Sequence, residues 1–408
     1  MANRRAAIEI VRRLQREGYQ ALLAGGCVRD MLLDRRPKDY DVATDARPDD
    51  VMRLFKRTLK VGAKFGVVIV LTRGRQVEVA TFRSEADYTD GRHPETVAFT
   101  DAAKDASRRD FTINGMFYDP VTEEVIDYVD GRADLKKRLL RTIGRPQDRF
   151  GEDYLRMLRA IRFSTQLDFA IEPETFAAIR GHAGDITRIS GERIATELEA
   201  TLAHPNRRAG ALMLFETGLA DAIFPPLTPE HGPKAAEVLG RLRQRVDFAL
   251  ALAAFFTGIE TEAVLEACAV LKMSRNRTKH VKYLLTHRGA LLDEGMSLAR
   301  LKLILGKPYF WDLYELERAT QKANGHGKAL ASLARLRKRV QALRGVNVSP
   351  KPLLNGHDLI HLGAGPGPDV GQLAEELYIA QLEGQIHTRQ EACLWASQWL
   401  GRHRRTGA

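Results

Sequence analysis

The chain carries three carboxylates whose placing suits metal-assisted phosphoryl chemistry. In Lys38-Asp39-Tyr40-Asp41-Val42, a β-strand would put Asp39 and Asp41 on one face, because side chains alternate along a strand. Two carboxylates converging on one point hold Mg²⁺ through hard oxygen donors and leave coordination positions for triphosphate oxygens and water. Glu78 stands between Val77 and Val79 on a predicted central strand and should face away from the packed side, which makes it the third candidate. Three such groups can hold two Mg²⁺ ions, one activating an attacking hydroxyl and one steadying a leaving pyrophosphate. A carboxylate-x-carboxylate pair is common by chance, so its surroundings matter. Just upstream, Gly25-Gly26-Cys27-Val28-Arg29-Asp30 places glycines between a predicted strand and a predicted helix, a layout that presents backbone N–H groups to phosphate.

The elements that must position these groups follow from the pattern around them. Between about residue 20 and 145, short β-rich runs (ALLAG, GVVIVLT, QVEVATF) are broken by Gly, Pro and Asp turns. After residue 148 strand signals fade and helical patterns rich in Ala, Leu, Arg and Glu continue to the end. The expected class is α+β: a head with a small mixed sheet and helices, followed by an all-α neck, body and tail. The expected domains are 1–147 (head), 148–204 (neck), 205–345 (body) and 346–408 (tail). Helix breaks are expected near Pro225-Pro226, around Gly325-His326-Gly327 and in the Gly363 to Gly371 cluster. The amphipathic N-terminus MANRRAAIEIVRRLQREGYQ predicts a first helix, without the apolar block of a secretory signal.

Bulk properties narrow the function. With 408 residues, 44% hydrophobic and 28% charged, a multidomain globular chain is expected. No apolar run approaches the ~18 residues of a membrane span. Cys27, Cys268 and Cys393 stand too far apart for a disulfide framework or zinc-ligand pairs, which points to a reducing cytoplasm. Lys and Arg number 63 against 52 Asp and Glu, a net charge of +11 that favours a polyanionic partner.

Taken together, these residues resemble the class II tRNA nucleotidyltransferase and bacterial poly(A) polymerase family, within the polymerase-β-like nucleotidyltransferase superfamily. GGCVRD followed by KDYDVAT is similar to the family's first motif, and implies Asp39 and Asp41 as metal ligands with Gly25, Gly26 and Arg29 on the triphosphate. VEVATFR is similar to its third-carboxylate strand. Arg83 to Pro94 resembles the loop that helps switch from CMP to AMP addition, although Arg92-His93-Pro94 stands where two arginines before the proline are more usual. Arg108-Arg109-Asp110-Phe111-Thr112-Ile113-Asn114 is similar to the RRDFTxN motif, whose implied duty is to hold ribose and triphosphate. Its chemistry suits that duty: Arg109 can fork onto phosphate oxygens, Asp110 can accept from a ribose hydroxyl and Asn114 can donate nearby.

Glu152-Asp153-Tyr154-Leu155-Arg156 matches the family's base-reading EDxxR signature. Three apart on a helix, Asp153 and Arg156 would share a face. Cytosine and adenine both show an amino donor beside a ring-nitrogen acceptor, so an Asp acceptor with an Arg donor reads either, while guanine and uracil present the opposite polarity. The resemblance continues through RMLRAIRF, adding Arg159 and Arg162 to the implied nucleotide-binding set. It runs on into ISGERIATELEATL, where Arg193 and Glu197 stand four apart on a helix thought to brace the base-reading one. It returns at LLNGHDLIHLGAGPGPDVGQLAEELYIAQLEGQIHTRQEA, which looks like the tail domain of these enzymes.

The implied activity is template-independent addition of CCA to the tRNA 3′ acceptor end from CTP and ATP, with two Mg²⁺ ions. The nearest rival is a poly(A) polymerase with the same head, and an enzyme adding only A is another. From a different class, His357, Asp358 and His361 in NGHDLIHL invite a metal phosphohydrolase reading, and a binding module with a dead site is the further contrast.

Overall fold

In the computed structural model, which describes residues 2–60, 66–88 and 94–406, the N-terminal segment forms helix α1 (Ala2–Arg16). Its Ala6, Ala7, Ile10, Val11 and Leu14 are buried at helical spacing while most arginines face outward, so the helix holds only because a sheet covers its apolar stripe. The chain packs as two compact units. The first comprises Met1–Gly240, Gln244–Phe248 and Phe255–Met273; the second comprises Arg241–Arg243, Ala249–Ala254 and Ser274–Ala408.

In the first unit the three β-rich runs become strands β1 (Ala21–Ala24), β4 (Val67–Thr72) and β5 (Arg75–Thr81). With β2 (Asp41–Thr44), β3 (Thr58–Leu59), β8 (Phe117–Asp119) and β9 (Glu124–Ile126) they form a seven-stranded sheet in the order β3-β4-β5-β2-β1-β8-β9. The remaining pair, β6 (Arg83–Tyr88) and β7 (Pro94–Phe99), makes a separate antiparallel ladder. Thr89 to His93, the tip of the expected switching loop, lie outside the described residues. Only β2 and β5 run parallel within the large sheet, with Val42 opposite Val79, so Asp41 opens β2 beside Glu78 in the middle of β5. β1 is buried along its whole length, as a central strand requires.

One expectation changes here. β2 starts at Asp41, so Asp39 sits in the preceding irregular segment rather than on a shared strand. Pro37 two residues earlier cannot donate to a ladder, which fits pairing that begins late.

Helices α2 (Gly26–Leu32), α3 (Pro48–Leu54), α4 (Ala102–Ser107) and α5 (Gly131–Lys137) flank the sheet in sequence. Helical structure then dominates, through α6 (Pro146–Glu152), α7 (Leu155–Leu167), α8 (Pro173–His182) and α9 (Gly191–Leu202). A two-residue parallel pairing of Leu139–Leu140 with Ala170–Ile171 is the exception. Leu158 and Ile161 on α7 and Ile194, Leu198 and Leu202 on α9 are buried, and the two helices pack together. Gly191, the first residue of α9, is required for another approach, because a Cβ there would lie 1.9 Å from the carbonyl oxygen of Val270, the last residue of helix Thr261–Val270.

In the second unit the expected break at Gly325-His326-Gly327 separates helix Phe310–Ala323 from helix Gly327–Ala342. The Gly363 to Gly371 cluster breaks the chain only as far as Gly367: helix Pro368–Glu383 starts on a proline, whose fixed φ suits a first turn, and runs through Gly371. With Gly356–His361 and Arg389–Thr406 it shares a core of Leu359, Leu373, Leu377, Ala392, Ala396 and Trp399. In NGHDLIHL, Asp358 completes a capping box with Asn355 and accepts from Arg389, so its carboxylate serves a helix end rather than a metal.

Candidate active site

Gly25 joins β1 to α2 with φ +73°, a conformation that L side chains rarely adopt, and a Cβ there would meet Arg109 Nη1 at 2.8 Å. Gly26 is under no such constraint. Its added Cβ would find only the Arg29 guanidinium, at 3.6 Å. The tight turn therefore needs its first glycine, and it brings the start of α2 against Arg109 and Asn114.

A cavity of about 480 Å³ opens beside this turn. Of the residues singled out from sequence, Gly25, Gly26, Arg29, Asp41, Arg109, Asp110, Asn114, Asp153, Arg156 and Arg159 line it. Asp39 and Glu78 do not line the cavity but act on Asp41. Burial, then Glu78 and Asp39, push the Asp41 carboxyl up to about 6 against the opposing pull of Arg109. Asp39 and Glu78 thus stand near enough to repel the Asp41 charge, and carboxylates are the hard-oxygen donors that a divalent cation takes, so these residues fit such an ion. Arg162 turns away, donating to Glu197 at 2.5 Å and lying 4.0 Å from the Phe163 ring centroid.

The polar groups lining the cavity are held by one another. Asp110 is buried and accepts from its neighbour Phe111 N (2.8 Å), from Asn114 Nδ2 (3.1 Å) and from Arg159 Nε (2.9 Å). Burial alone would raise its pKa, but Arg159 and these hydrogen bonds outweigh it and hold the carboxyl far below the usual range. Asn114 accepts from Arg29 Nη1 at 2.7 Å, so the two ends of its amide link Asp110 to Arg29. Arg29 also donates to Asp30 and lies 5.3 Å from the Phe163 centroid.

Sequence reasoning passed over Asp105. Buried on α4, it accepts from Arg108 Nε at 2.9 Å and from Arg109 Nη2 at 3.0 Å, and these two cations overcome burial to lower its pKa. The signal was available, since Asp105 stands three and four residues before the two arginines on a helical segment. Arg108 and Phe163 also line the cavity, and the Phe163 ring faces Arg29, Arg159 and Arg162 together. An aromatic amid RMLRAIRF gave no cue beyond core packing.

The EDxxR segment departs from a single helix. Asp153 ends α6 in an extended conformation (φ −150°, ψ 103°), and α7 starts at Leu155. Asp153 accepts from Leu155 N at 3.0 Å, the local side-chain-to-backbone bond by which Asp competes with helix continuation. Its other oxygen accepts from Arg193 at 2.8 Å, while Arg156 donates to Glu152 at 2.5 Å. Asp153 and Arg156 thus meet at one cavity wall without the helical face expected of them. Arg193 and Glu197 likewise do not pair: Arg193 reaches Asp153 and Glu197 reaches Arg162, two struts from α9 to the segment that carries the cavity wall.

The sequence matches three family profiles in succession: a poly(A) polymerase head domain over residues 21–141, an RNA and SrmB binding site of polymerase A over 168–230, and tRNA nucleotidyltransferase domain 2 over 244–396. Among curated proteins, the CCA-adding enzyme of Levilactobacillus brevis is 34% identical over 396 residues, covering 95% of this chain and 96% of that protein. The CCA-adding enzyme of Geobacillus stearothermophilus is 33% identical, covering 98% and 97%. The crystal structure of the Bacillus stearothermophilus CCA-adding enzyme in complex with CTP superposes with a TM-score of 0.81 at 29% identity, over 98% of both chains.

Proposed function

This chain belongs to the CCA-adding enzyme family, and we propose that it adds CMP, CMP and AMP, taken from CTP and ATP, to the 3′ end of tRNA. The observation that carries this reading is the cavity itself, where the Asp41 carboxylate, the arginines Arg29, Arg109 and Arg159, and the Asp153–Arg156 wall face one space. In the proposed arrangement Arg29 and Arg109 take the triphosphate, with the Gly25 turn allowing its close approach. Asp110 and Asn114 set the ribose end. Asp153 accepts from the exocyclic amine of cytosine or adenine and Arg156 donates to the adjacent ring nitrogen, so guanine and uracil meet like groups and are refused.

Asp39, Asp41 and Glu78 are the residues to hold divalent cations, and we propose Mg²⁺ and two ions. When bound, such ions lower the pKa of the attacking 3′ hydroxyl and neutralise charge on the departing pyrophosphate. The chain's own part is to fix the nucleotide in line with the RNA end and to surround the phosphates with guanidinium groups. No side chain is needed as general base. The helical body and tail supply RNA contacts through exposed cations. Among the described residues no helix is long and apolar enough to cross a membrane, and we place the enzyme in the cytoplasm.

A single-turnover extension assay with Mg²⁺ tests this reading, using tRNA lacking CCA, tRNA ending in CC and an unstructured RNA, with CTP and ATP separately and together. Addition that stops at CCA and is confined to tRNA is the expected result. Long adenylate tails on either RNA would make the chain a poly(A) polymerase, and extension only of the CC-ended tRNA would make it an A-adding enzyme.

A further inference from the structure

A second cavity of the first unit, about 980 Å³, has about twice the volume of the nucleotide cavity. It lies beside the segment that leads into β2: Lys38 and Tyr40 line it, whereas Asp41 lines the nucleotide cavity. Its cations come from three separate parts of the chain: Arg4 from α1, Arg35, Arg36 and Lys38 from the connection before β2, and Arg75 from β5. Against these five stands one lining carboxylate, Asp34.

We propose that this groove binds the phosphodiester backbone of a single-stranded segment of RNA, at a site separate from the nucleotide cavity. Four of its cations, Arg4, Arg36, Lys38 and Arg75, have no ion-pair partner among the described residues, and the Arg35 guanidinium donates to the Gln166 carbonyl oxygen rather than to a carboxylate. Unpaired like charges gathered in a concave wall cost free energy unless a polyanion enters. The crowding is felt by its surroundings: half-buried His204 is held below the ordinary imidazole range by burial and then by Arg207, Arg35 and Lys38. Several considerations favour a strand over a small anion. The cations are spread over three elements rather than focused on one point, the volume exceeds what the nucleotide cavity needs, and half-buried Tyr40 and Tyr118 offer rings against which unpaired bases can stack. Because Lys38 is the residue before Asp39, a strand held here passes beside the carboxylates that meet its 3′ end.

The choice of RNA as ligand rests on the proposed function; the existence of an anion groove does not. The test uses the full chain with Arg4, Arg36 and Arg75 replaced by Ala, leaving Lys38 alone because it adjoins Asp39. Fluorescence anisotropy with a short unstructured RNA is read across a salt series. The expected result is an affinity about tenfold weaker at low salt and a log–log salt slope shallower by about 2, with CTP affinity and melting temperature unchanged. RNA affinity and slope equal to those of the parent would overturn the proposal, as would a loss confined to CTP or inorganic triphosphate. Should the triple variant fail to fold, Arg36→Glu and Arg75→Glu, both at exposed positions, give the same reading singly. If the parent chain extends no RNA at all, the function assigned above falls while these binding measurements still decide the groove.

Discussion

Most of the chemistry proposed for the head rests on Asp41, which opens β2, lines the nucleotide cavity and feels both Asp39 and Glu78. Asp41→Ala is expected to reduce nucleotide transfer well beyond the ~10–100-fold typical of groups that only support a metal ligand, with RNA binding retained. Substantial transfer by the variant in a single-turnover assay would remove the metal assignment. Asp105 makes a different prediction. Asp105→Ala leaves Arg108 and Arg109 without their shared carboxylate, which costs on the order of 3 kcal/mol for a broken buried pair and lets both guanidiniums wander. The melting temperature should drop and KM for CTP rise, and the lesion is refuted if both hold at parental values. The cysteines supply the pH test. Burial pushes the thiols of Cys27 and Cys268 up to about 11, so at pH 8 both remain protonated and weakly nucleophilic. Alkylation at pH 8 followed by peptide mass mapping should label Cys393, which is half-buried, ahead of the other two; rapid modification of Cys27 would contradict its placing.

Among the elements, the turn from β1 into α2 and the struts from α9 decide how well the cavity is shaped. Gly25→Ala puts an L residue at φ +73°, a strain of ~1–2 kcal/mol, and drives its Cβ into Arg109. Catalytic efficiency with CTP should fall about tenfold or more if that strain is relieved by moving Arg109. The same change at Gly26 should be much milder, and equal effects would refute the assignment of the strained position. Arg193→Ala frees Asp153 from α9. Discrimination of CTP and ATP against UTP and GTP should weaken while stability changes little, and a variant with parental selectivity would show that the strut is dispensable. What the sequence made legible at this scale was the period: ALLAG, GVVIVLT and QVEVATF read as β-rich runs and became β1, β4 and β5, and Asp41 and Glu78 came out side by side on neighbouring strands. The break at Asp153 was less visible, because EDYLR satisfies helical spacing and only the Asp side chain, bonded to Leu155 N, tips the balance toward a new helix start. Nor could spacing show that Arg193 and Glu197 reach outward to Asp153 and Arg162. An i,i+4 pair is satisfied locally on an isolated helix, and only the packing of α9 on α7 offers the alternative partners.

At the scale of the molecule, the net charge of +11 acquires a location. In the second unit, exposed Arg275, Arg277 and Lys279 begin one helix, and exposed Arg335, Arg337 and Lys338 ride another whose Leu333, Leu336 and Val340 are buried. Those helices keep their apolar sides for the core and leave their cations to solvent, where Arg335 meets exposed Glu294. An exposed pair of that kind is worth little, so it does not oppose the approach of phosphate. RNA binding through such contacts releases counterions, and each neutralised phosphate makes the affinity steeper in salt. If about six phosphates are engaged, the affinity of the parent chain for tRNA should fall by roughly a thousandfold between 50 and 200 mM salt. Nucleoside triphosphate, with fewer charges and fixed guanidinium partners, should lose far less. Equilibrium binding of both ligands over one salt series separates the two. A tRNA affinity as flat as that of CTP would mean that the basic surface is there for solubility, and that whatever selects the RNA is confined to the cavity.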